Sequence, residues 1–222
     1  MEQIAHIEND FPTKFALPRQ SLLSPSLLSR IVFEPEYRNP DALRGLEGFS
    51  HLWLIWEFSE FKGRVWSPTV RPPRLGGNAR LGVFATRSPH RPNPLGLTCV
   101  KLEKILSDPQ CGPVLLVSGA DMMDGTPVYD IKPYVREADC RPEAADGFVG
   151  TTPRRTLEVT MAPERREELL STLTQRQFDT LLEVLSQDPR PSYHDDPERV
   201  YGFAYASLEV HFRVRDGRLE VL

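Results

Sequence analysis

Residues 75–96, LGGNARLGVFATRSPHRPNPLG, constrain the fold more than any other stretch of this chain. They hold four Gly, three Pro, two Asn and three Arg around one short apolar run. Gly and Pro at this density fix an irregular backbone rather than a helix. The alternation over residues 81–86 predicts a short strand that enters this loop. Arg87 and Arg91 then lie in a rigid loop, where a guanidinium can pair with an oxyanion through two hydrogen bonds.

The Asp, Glu, Lys and Arg side chains around this loop are of one sign, all of them basic. Residues 61–102 contain eight Lys and Arg and no Asp or Glu, although the whole chain has 27 basic and 31 acidic residues. The remainder therefore carries 19 basic against 31 acidic residues, a balance of −12. Such a basic island predicts a site for phosphates or another polyanion. The alternative is a chance cluster on a solvated surface.

The bulk composition excludes several classes of protein. A net charge of −4 argues against a wholly basic nucleic-acid binder, and an apolar content of 40% supports a real core. Three Cys without a CxxC spacing predict buried free thiols, with neither a disulfide framework nor a zinc or other metal site. No run is long enough to span a membrane, and the N-terminus lacks the pattern of a signal peptide. We therefore expect a cytoplasmic protein with no membrane and no metal partner.

The hydrophobic pattern predicts a mainly β fold. Residues 49–58, FSHLWLIWEF, are the strongest apolar run and have the length of a strand that is buried on both faces. Residues 1–155 contain several short strands between Gly and Pro turns and almost no helix, which is typical of a sandwich or barrel. The sequence has no GxGxxG after a first strand, no GxxxxGK[ST] and no GxSxG. A Rossmann fold, a P-loop and a hydrolase elbow are therefore unsupported.

From residue 156 the pattern changes to that of a small α+β unit. Thr174 and Gln177 form a predicted capping box, before a helix whose apolar residues recur at i, i+3, i+4 and i+7. Two strands follow, over residues 201–206 and 208–214. We therefore predict an antiparallel β-barrel domain at residues 1–155 and a small α+β domain at residues 156–222.

Several longer motifs of the chain are similar to those of a known family. They are GVFATRSPHRPNPLG with RPPRLGGNAR just before it, DGTPVYDIKPY after it, and DPRPSY near the C-terminus. Together they closely resemble the TrmO family, which is also called TsaA-like. The resemblance implies a β-barrel catalytic domain that binds S-adenosylmethionine, a C-terminal module, and a homodimer. It also implies the reaction: N6-methylation of the threonylcarbamoyladenosine just 3′ of the anticodon, in the anticodon loop of tRNA.

The resemblance further implies which residues bind the cofactor. Among them, Glu60 and Asp124 offer acceptors, Arg87 offers donors for a carboxylate, and Leu97 offers apolar surface for the adenine. Ser59 stands where many relatives have His. The residues carried over are Pro18, Arg19, Gln20, Ser59, Glu60, Arg87, Leu97, Asp124, Gly125, Thr126 and Pro127.

The chemistry of the acceptor selects three candidate catalytic residues, Asp130, Lys132 and Tyr134, all in the DIKPY segment. A urea-like N6 is a poor nucleophile while it is protonated, because its lone pair is delocalised, so a nearby proton acceptor would assist. Asp130 has the residue type of a general base. The alternative is that Asp130 only forms an ion pair with Lys132 or an Arg. Alignment of the reactants alone can contribute about 7–11 kcal/mol.

Binding of tRNA requires phosphate contacts and stacking of unpaired bases. Tyr193, beside Arg190, is the predicted stacking residue of the second domain, and the alternative is a rigid corner of the chain. Two other functions stay open: a methyltransferase for a different acceptor, and a non-enzymatic RNA-binding barrel of the OB type. The predicted tRNA contacts are Arg64, Arg71, Arg74, Arg80, Arg91, Arg190 and Tyr193.

Overall fold

The computed structural model describes residues 1–77, 79–152, 156–191 and 196–222. Its larger sheet contains six antiparallel strands in the order β1-β2-β7-β6-β3-β8, and β8 pairs back onto β1, so that the sheet closes on itself. A separate two-stranded ribbon, β4 with β5, lies in the connection between β3 and β6. The strands of this half are β1 (Ala5–Glu8), β2 (Leu28–Phe33), β3 (His51–Glu57), β4 (Thr69–Val70), β5 (Leu81–Gly82), β6 (Leu95–Asp108), β7 (Gly112–Ser118) and β8 (Pro127–Pro133).

Short helical turns occupy the connections of this half. Two are single-turn α-helices, α1 (Arg136–Asp139) and α2 (Phe148–Thr151). The others are 3₁₀ turns at Pro35–Tyr37, Pro40–Leu43, Leu46–Gly48, Ser59–Phe61, Pro73–Leu75 and Val83–Ala85. The strand predicted over residues 81–86 is therefore wrong beyond its first two residues, since a 3₁₀ turn replaces it at Val83.

The interior of the closed sheet is filled by alternate residues of its strands. Leu52 and Leu54 of β3 are fully buried and Trp56 is 5% exposed, and the strand predicted within residues 49–58 is confirmed over His51–Glu57. Its predicted burial on both faces is wrong, because His51, Trp53 and Ile55 on the other face are only half-buried. Gly96 of β6 lies against the Trp56 ring, and a Cβ at this position would be 2.1 Å from Trp56 Cε2. A glycine is therefore required there to let the indole approach the backbone.

Antiparallel pairing brings several strand ends to one edge of the closed sheet. Glu57, at the end of β3, pairs with Leu95 at the start of β6. Ser118, at the end of β7, pairs with Leu28 at the start of β2. Pro127 begins β8 on the same side, next to the end of β3. We call this edge, marked by these five residues, the loop rim.

The C-terminal part forms a second, smaller unit. Its sheet has the order β10-β11-β12-β9, in which only β12 and β9 are parallel. Helix α4 begins with the predicted capping box, in which the Thr174 hydroxyl accepts from Gln177 N and the Gln177 side chain accepts from Thr174 N. The mainly β fold with a small C-terminal unit is thus confirmed. The elements are β9 (Glu158–Met161), α3 (Pro163–Thr172), α4 (Gln175–Ser186), β10 (Tyr201–Tyr205), β11 (Leu208–Arg215) and β12 (Arg218–Val221).

The connection between β1 and β2 belongs to both cores. Phe11, Ala16 and Leu27, which are at most 5% exposed, are buried with α4 and the C-terminal sheet rather than inside the closed sheet. Glu183 of α4 holds the same connection by accepting hydrogen bonds from Ser24 Oγ at 2.7 Å and from Ser26 Oγ at 2.8 Å. The segment that leads to the loop rim is therefore positioned by the C-terminal unit. No helix in the described part of the chain is long and apolar enough to cross a bilayer.

Candidate functional site

Most of the residues predicted to bind the cofactor lie at the loop rim. Ser59 and Glu60 follow the end of β3, Leu97 is the third residue of β6, and the turn at residues 124–127 leads into β8. Residues 18–20 lie in the connection that leads into β2. These positions are far apart in sequence, and the pairing of the strands brings them to one edge.

The turn at residues 124–127 is fixed by backbone hydrogen bonds to β1 and to the segment that follows it. Asp124 N donates to Phe11 O at 2.9 Å, and Gly125 N donates to Ile7 O at 2.7 Å. Gly125 has a φ of 74°, a conformation that glycine adopts without strain. Asn9 N donates to Asp124 Oδ1 at 3.0 Å, so that the exposed Asp124 carboxylate keeps its second oxygen for a ligand.

A chain of hydrogen bonds runs from the core to this edge and ends at Asp121, a residue that sequence reasoning missed. Trp56 Nε1 donates to Thr98 Oγ1 at 2.9 Å, and Thr98 Oγ1 donates to Asp121 Oδ1 at 2.7 Å. Burial raises the pKa of the Asp121 carboxyl, while the hydrogen bond from Thr98 and the charge of Arg87 oppose that rise. The only local signal was an acidic residue three positions after the end of a buried strand, which is too common to single out.

Arg87 is the cation that faces Asp121. Its side chain is exposed, and it makes no hydrogen bond or ion pair with the residues that the structure describes. The carboxylate of Asp121 attracts the guanidinium, while the donors of Arg87 are left for a ligand. An anionic group is the natural ligand for such an arginine.

The other predicted cofactor residues differ in their exposure and in whether their polar atoms already bond within the protein. Glu60 Oε2 accepts a hydrogen bond from Lys14 Nζ at 2.6 Å in an ion pair, and Leu97 is 58% exposed on the outer face of the sheet. Pro18 is buried, and Arg19 Nη2 donates to the carbonyl oxygen of Arg190 at 2.9 Å. Arg19 therefore ties the segment of residues 18–20 to the C-terminal unit.

The three predicted catalytic residues are not brought to the loop rim. Asp130 Oδ2 is 2.9 Å from Lys132 Nζ, and Asp130 Oδ1 accepts from Ile131 N at 2.9 Å. Tyr134 follows the opposite end of β8, where its ring centroid is 5.8 Å from that of Trp53. Burial raises the pKa of the Tyr134 phenol. Within one chain, these contacts favour the ion-pair alternative for Asp130.

Sequence reasoning also missed Glu57 and Tyr129. Glu57 ends β3 at the loop rim and is only 9% exposed. The Tyr129 hydroxyl donates to Glu57 Oε2, and Lys62 Nζ is 3.5 Å from the same oxygen. Burial, together with the hydrogen bond to Glu57 and its charge, raises the pKa of Tyr129 to about 12. Tyr129 is therefore a proton donor to Glu57, and not a base, at neutral pH.

The basic island is divided between structural and available arginines. Arg74 Nε donates to Thr152 O at 2.8 Å, and Arg91 Nη1 donates to Thr86 O at 2.7 Å, so both stabilise loops. Outside the island, the predicted tRNA contact Arg190 forms two hydrogen bonds with Asp188, at 2.8 and 2.9 Å.

Three of the predicted tRNA contacts keep an exposed side chain. Arg71 is exposed, Arg80 donates to Thr69 Oγ1 at 3.0 Å, and Arg64 lies over Phe61 at 4.8 Å from the ring centroid. Tyr193 lies outside the described residues. The same ranges contain no group of three His, Cys, Asp or Glu that could hold a metal ion.

Comparison with known proteins identifies the family. A family model described as the tRNA-methyltransferase O N-terminal domain matches residues 6–140, and one described as the TrmO C-terminal domain matches residues 154–222. Since the two matches cover most of the chain, the protein belongs to the TrmO family.

Individual relatives agree with this assignment. A tRNA (adenine(37)-N6)-methyltransferase of Escherichia coli strain K12 is 42% identical over 99% of this chain and 95% of its own length. A putative S-adenosylmethionine-dependent methyltransferase of Pseudomonas aeruginosa is 42% identical over 94% of this chain and 90% of its own. The crystal structure of TrmO from Pseudomonas aeruginosa matches 99% of this chain and 95% of that chain, with a TM-score of 0.77 and 35% identity.

Proposed function

We propose that this protein is an S-adenosylmethionine-dependent tRNA methyltransferase. Its substrate is the threonylcarbamoyladenosine at position 37, just 3′ of the anticodon, and its product is the N6-methylated nucleoside. The names of the relatives from Escherichia coli and Pseudomonas aeruginosa support the reaction and the cofactor. The structural observation that carries the proposal is Arg87, an exposed guanidinium without a bonding partner among the described residues, beside Asp121 at the loop rim.

The residues at the loop rim suit the groups of S-adenosylmethionine. Arg87 donates to its carboxylate, and the free oxygens of Glu60 and Asp124 accept from its ammonium and ribose hydroxyls. Leu97 offers exposed apolar surface to the adenine. When it is bound, the cofactor supplies an electrophilic methyl group on a positively charged sulfur. Pro18, Arg19 and Gln20 contribute a segment that the Arg19 side chain ties to the C-terminal unit.

Positioning is the main task of this chain's own residues. Asp121 holds Arg87 through charge attraction, and Thr98 fixes the orientation of the Asp121 carboxylate by its 2.7 Å hydrogen bond. In-line alignment of acceptor and donor contributes about 7–11 kcal/mol to such reactions. We retain Asp130 as a candidate general base, with its ion pair to Lys132 as the favoured alternative.

The tRNA backbone binds along the exposed part of the basic island. Arg64, Arg71 and Arg80 keep their guanidinium groups at the surface. Phosphate contacts of this kind fix the position of an RNA without reading its sequence. Arg74, Arg91 and Arg190 contribute by shaping the loops, because their side chains already bond to the protein.

The assembly is part of the proposal. We take the closed six-stranded sheet as the catalytic barrel, with the domain boundary between residues 155 and 156. The protein acts in the cytoplasm and, as the family resemblance implies, as a homodimer. Sedimentation velocity at micromolar concentration tests the dimer, and a single species with the mass of one chain would contradict it.

Mass spectrometry of nucleosides tests the reaction. Modified tRNA is incubated with the protein and a cofactor labelled in the methyl group, then digested. We expect a labelled nucleoside heavier by one methyl group, and none from tRNA that lacks the threonylcarbamoyl group. Labelling of both tRNAs, or of another acceptor only, would favour a different methyltransferase. Absence of cofactor binding by calorimetry would favour the non-enzymatic RNA-binding barrel.

A further inference from the structure

An aromatic side chain stands exposed in the middle of the basic island. Phe84 is 74% exposed, whereas its neighbour Val83 is 1% exposed and anchors the same 3₁₀ turn. Phe84 is three residues from Arg87, the proposed ligand of the cofactor carboxylate. Leaving a ring of this size in water has no benefit for the fold, since burial of apolar area is what stabilises it.

The turn that carries this ring is held rigidly. Arg91 Nη1 donates to Val83 O at 3.2 Å and to Thr86 O at 2.7 Å, so that it clamps both ends of the turn. Val83 N donates to Pro68 O at 3.0 Å, which ties the turn to the preceding connection. The guanidinium carbon of Arg91 also lies 5.7 Å from the centre of the Phe84 ring. The ring is thus presented by a preorganised turn and is backed by a cation.

We propose that Phe84 is a stacking platform for an unpaired base of the bound tRNA. The inference rests on the proposed function and adds a base-binding site to it. Charge complementarity argues for RNA as the occupant, because residues 61–102 carry eight basic and no acidic side chains. Every base has a π face, and stacking on an aromatic ring is a general way to hold single-stranded loops. The platform adjoins the proposed cofactor site, so a base stacked there is anchored next to the reacting nucleotide.

The test compares three substitutions of Phe84 in the full-length protein. Stacking contributes about 1–3 kcal/mol per base, so Phe84→Ala should weaken tRNA binding by about 5- to 150-fold. Phe84→Tyr should bind within about threefold of the unsubstituted protein, and Phe84→Leu should resemble Ala because it keeps apolar area without a π face. Val200→Ala, at a position that is 50% exposed and outside the basic island, is the control and should change nothing.

Two further readouts separate stacking from other roles. The dependence of tRNA affinity on salt should keep its slope in Phe84→Ala, whereas Arg71→Ala should lower the slope by about 0.7–0.9 through loss of one phosphate contact. Cofactor affinity, measured by calorimetry without tRNA, should stay within twofold for all Phe84 variants.

Five outcomes would overturn the inference. Phe84→Ala with full tRNA affinity excludes the platform, and Phe84→Leu with full affinity excludes stacking. A parallel loss of cofactor affinity assigns the ring to the cofactor pocket. A changed oligomeric state with unchanged tRNA affinity assigns it to a protein contact. If the unsubstituted protein binds the cofactor but no tRNA, the proposed function fails together with the platform.

Discussion

Arg19 and Arg190 are joined by a hydrogen bond in which Arg19 Nη2 donates to the carbonyl oxygen of Arg190 at 2.9 Å. Arg19 belongs to the proposed cofactor segment, and Arg190 follows α4 in the C-terminal unit. Arg190 is itself fixed by its two hydrogen bonds to Asp188. The C-terminal unit therefore takes part in shaping the proposed cofactor site.

We expect Glu183→Ala to weaken both the fold and cofactor binding. Glu183 accepts from Ser24 and Ser26, and Ser24 is only 1% exposed, so the loss leaves a buried hydroxyl without its partner. Such a loss costs about 1–3 kcal/mol. Thermal unfolding and calorimetry with S-adenosylmethionine measure the two effects. Glu167→Ala, at an exposed position of α3, is the control, and equal behaviour of the two variants would contradict the coupling.

Arg87→Ala should lower cofactor affinity by about 10- to 100-fold, because hydrogen bonds to charged groups contribute about 1.5–3 kcal/mol. Stability should fall only slightly, since the exposed Arg87 side chain makes no hydrogen bond within the described ranges and contributes only its charge attraction to Asp121. Calorimetry measures the affinity, and Arg136→Ala in α1 serves as the exposed-arginine control. Unaltered affinity in Arg87→Ala would refute its role.

Asp121→Asn should reduce cofactor affinity without reducing stability at neutral pH. Because burial raises the pKa of this carboxyl, the folded state binds its proton more tightly than the unfolded state does. The resulting stabilisation is fully present below the ordinary pKa of an aspartate and is lost as the pH rises through the higher folded value. The neutral Asn avoids that loss and still accepts from Thr98.

Thermal unfolding from pH 4 to pH 8 checks this sign. The melting temperature of Asp121→Asn should equal or exceed that of the unsubstituted protein at pH 8, and the difference should shrink towards pH 4. A lower melting temperature at pH 8 with unchanged cofactor affinity would show that Asp121 serves the fold alone.

Asp130→Asn should retain turnover within about threefold, since its carboxylate is paired with Lys132 and lies away from the loop rim. A general base accelerates a reaction by about 10²–10⁴-fold, so a single-turnover assay distinguishes a general base at Asp130 from a mere ion-pair partner of Lys132. A drop of 100-fold or more, with normal unfolding and cofactor binding, would reinstate Asp130 as the base. Lys132→Gln provides the matched change of the partner.

Local sequence signals predicted single elements well. The apolar run at residues 49–58 became β3, and the capping box at Thr174 and Gln177 starts α4. Both depend on interactions within a few residues, which a sequence displays directly. The Gly- and Pro-rich loop was recognised, but its predicted strand failed at Val83, because alternation of side chains cannot distinguish a strand from a 3₁₀ turn over so few residues.

The hydrogen bonds of the site that join residues distant in the chain could not be predicted from the sequence. The orientation of Asp121 depends on Thr98, which stands 23 residues before it, and through Thr98 on Trp56, which stands a further 42 residues before. No local sequence pattern marks this chain of hydrogen bonds. Arg91 was predicted as an RNA contact from its residue type, and its Nη1 donates to two carbonyl oxygens of its own loop, which the sequence does not show. A charged residue in a loop shows its role only once the turn around it is folded.

The segment between β1 and β2 makes the two halves of this protein inseparable. Phe11 and Leu27 fill space among the C-terminal residues, although they stand before most of the larger sheet in the chain. A shortened protein that ends at residue 155 would expose these two apolar side chains to water and would aggregate. Exchange of the C-terminal half between relatives should therefore give a folded protein only when the segment between β1 and β2 is exchanged with it.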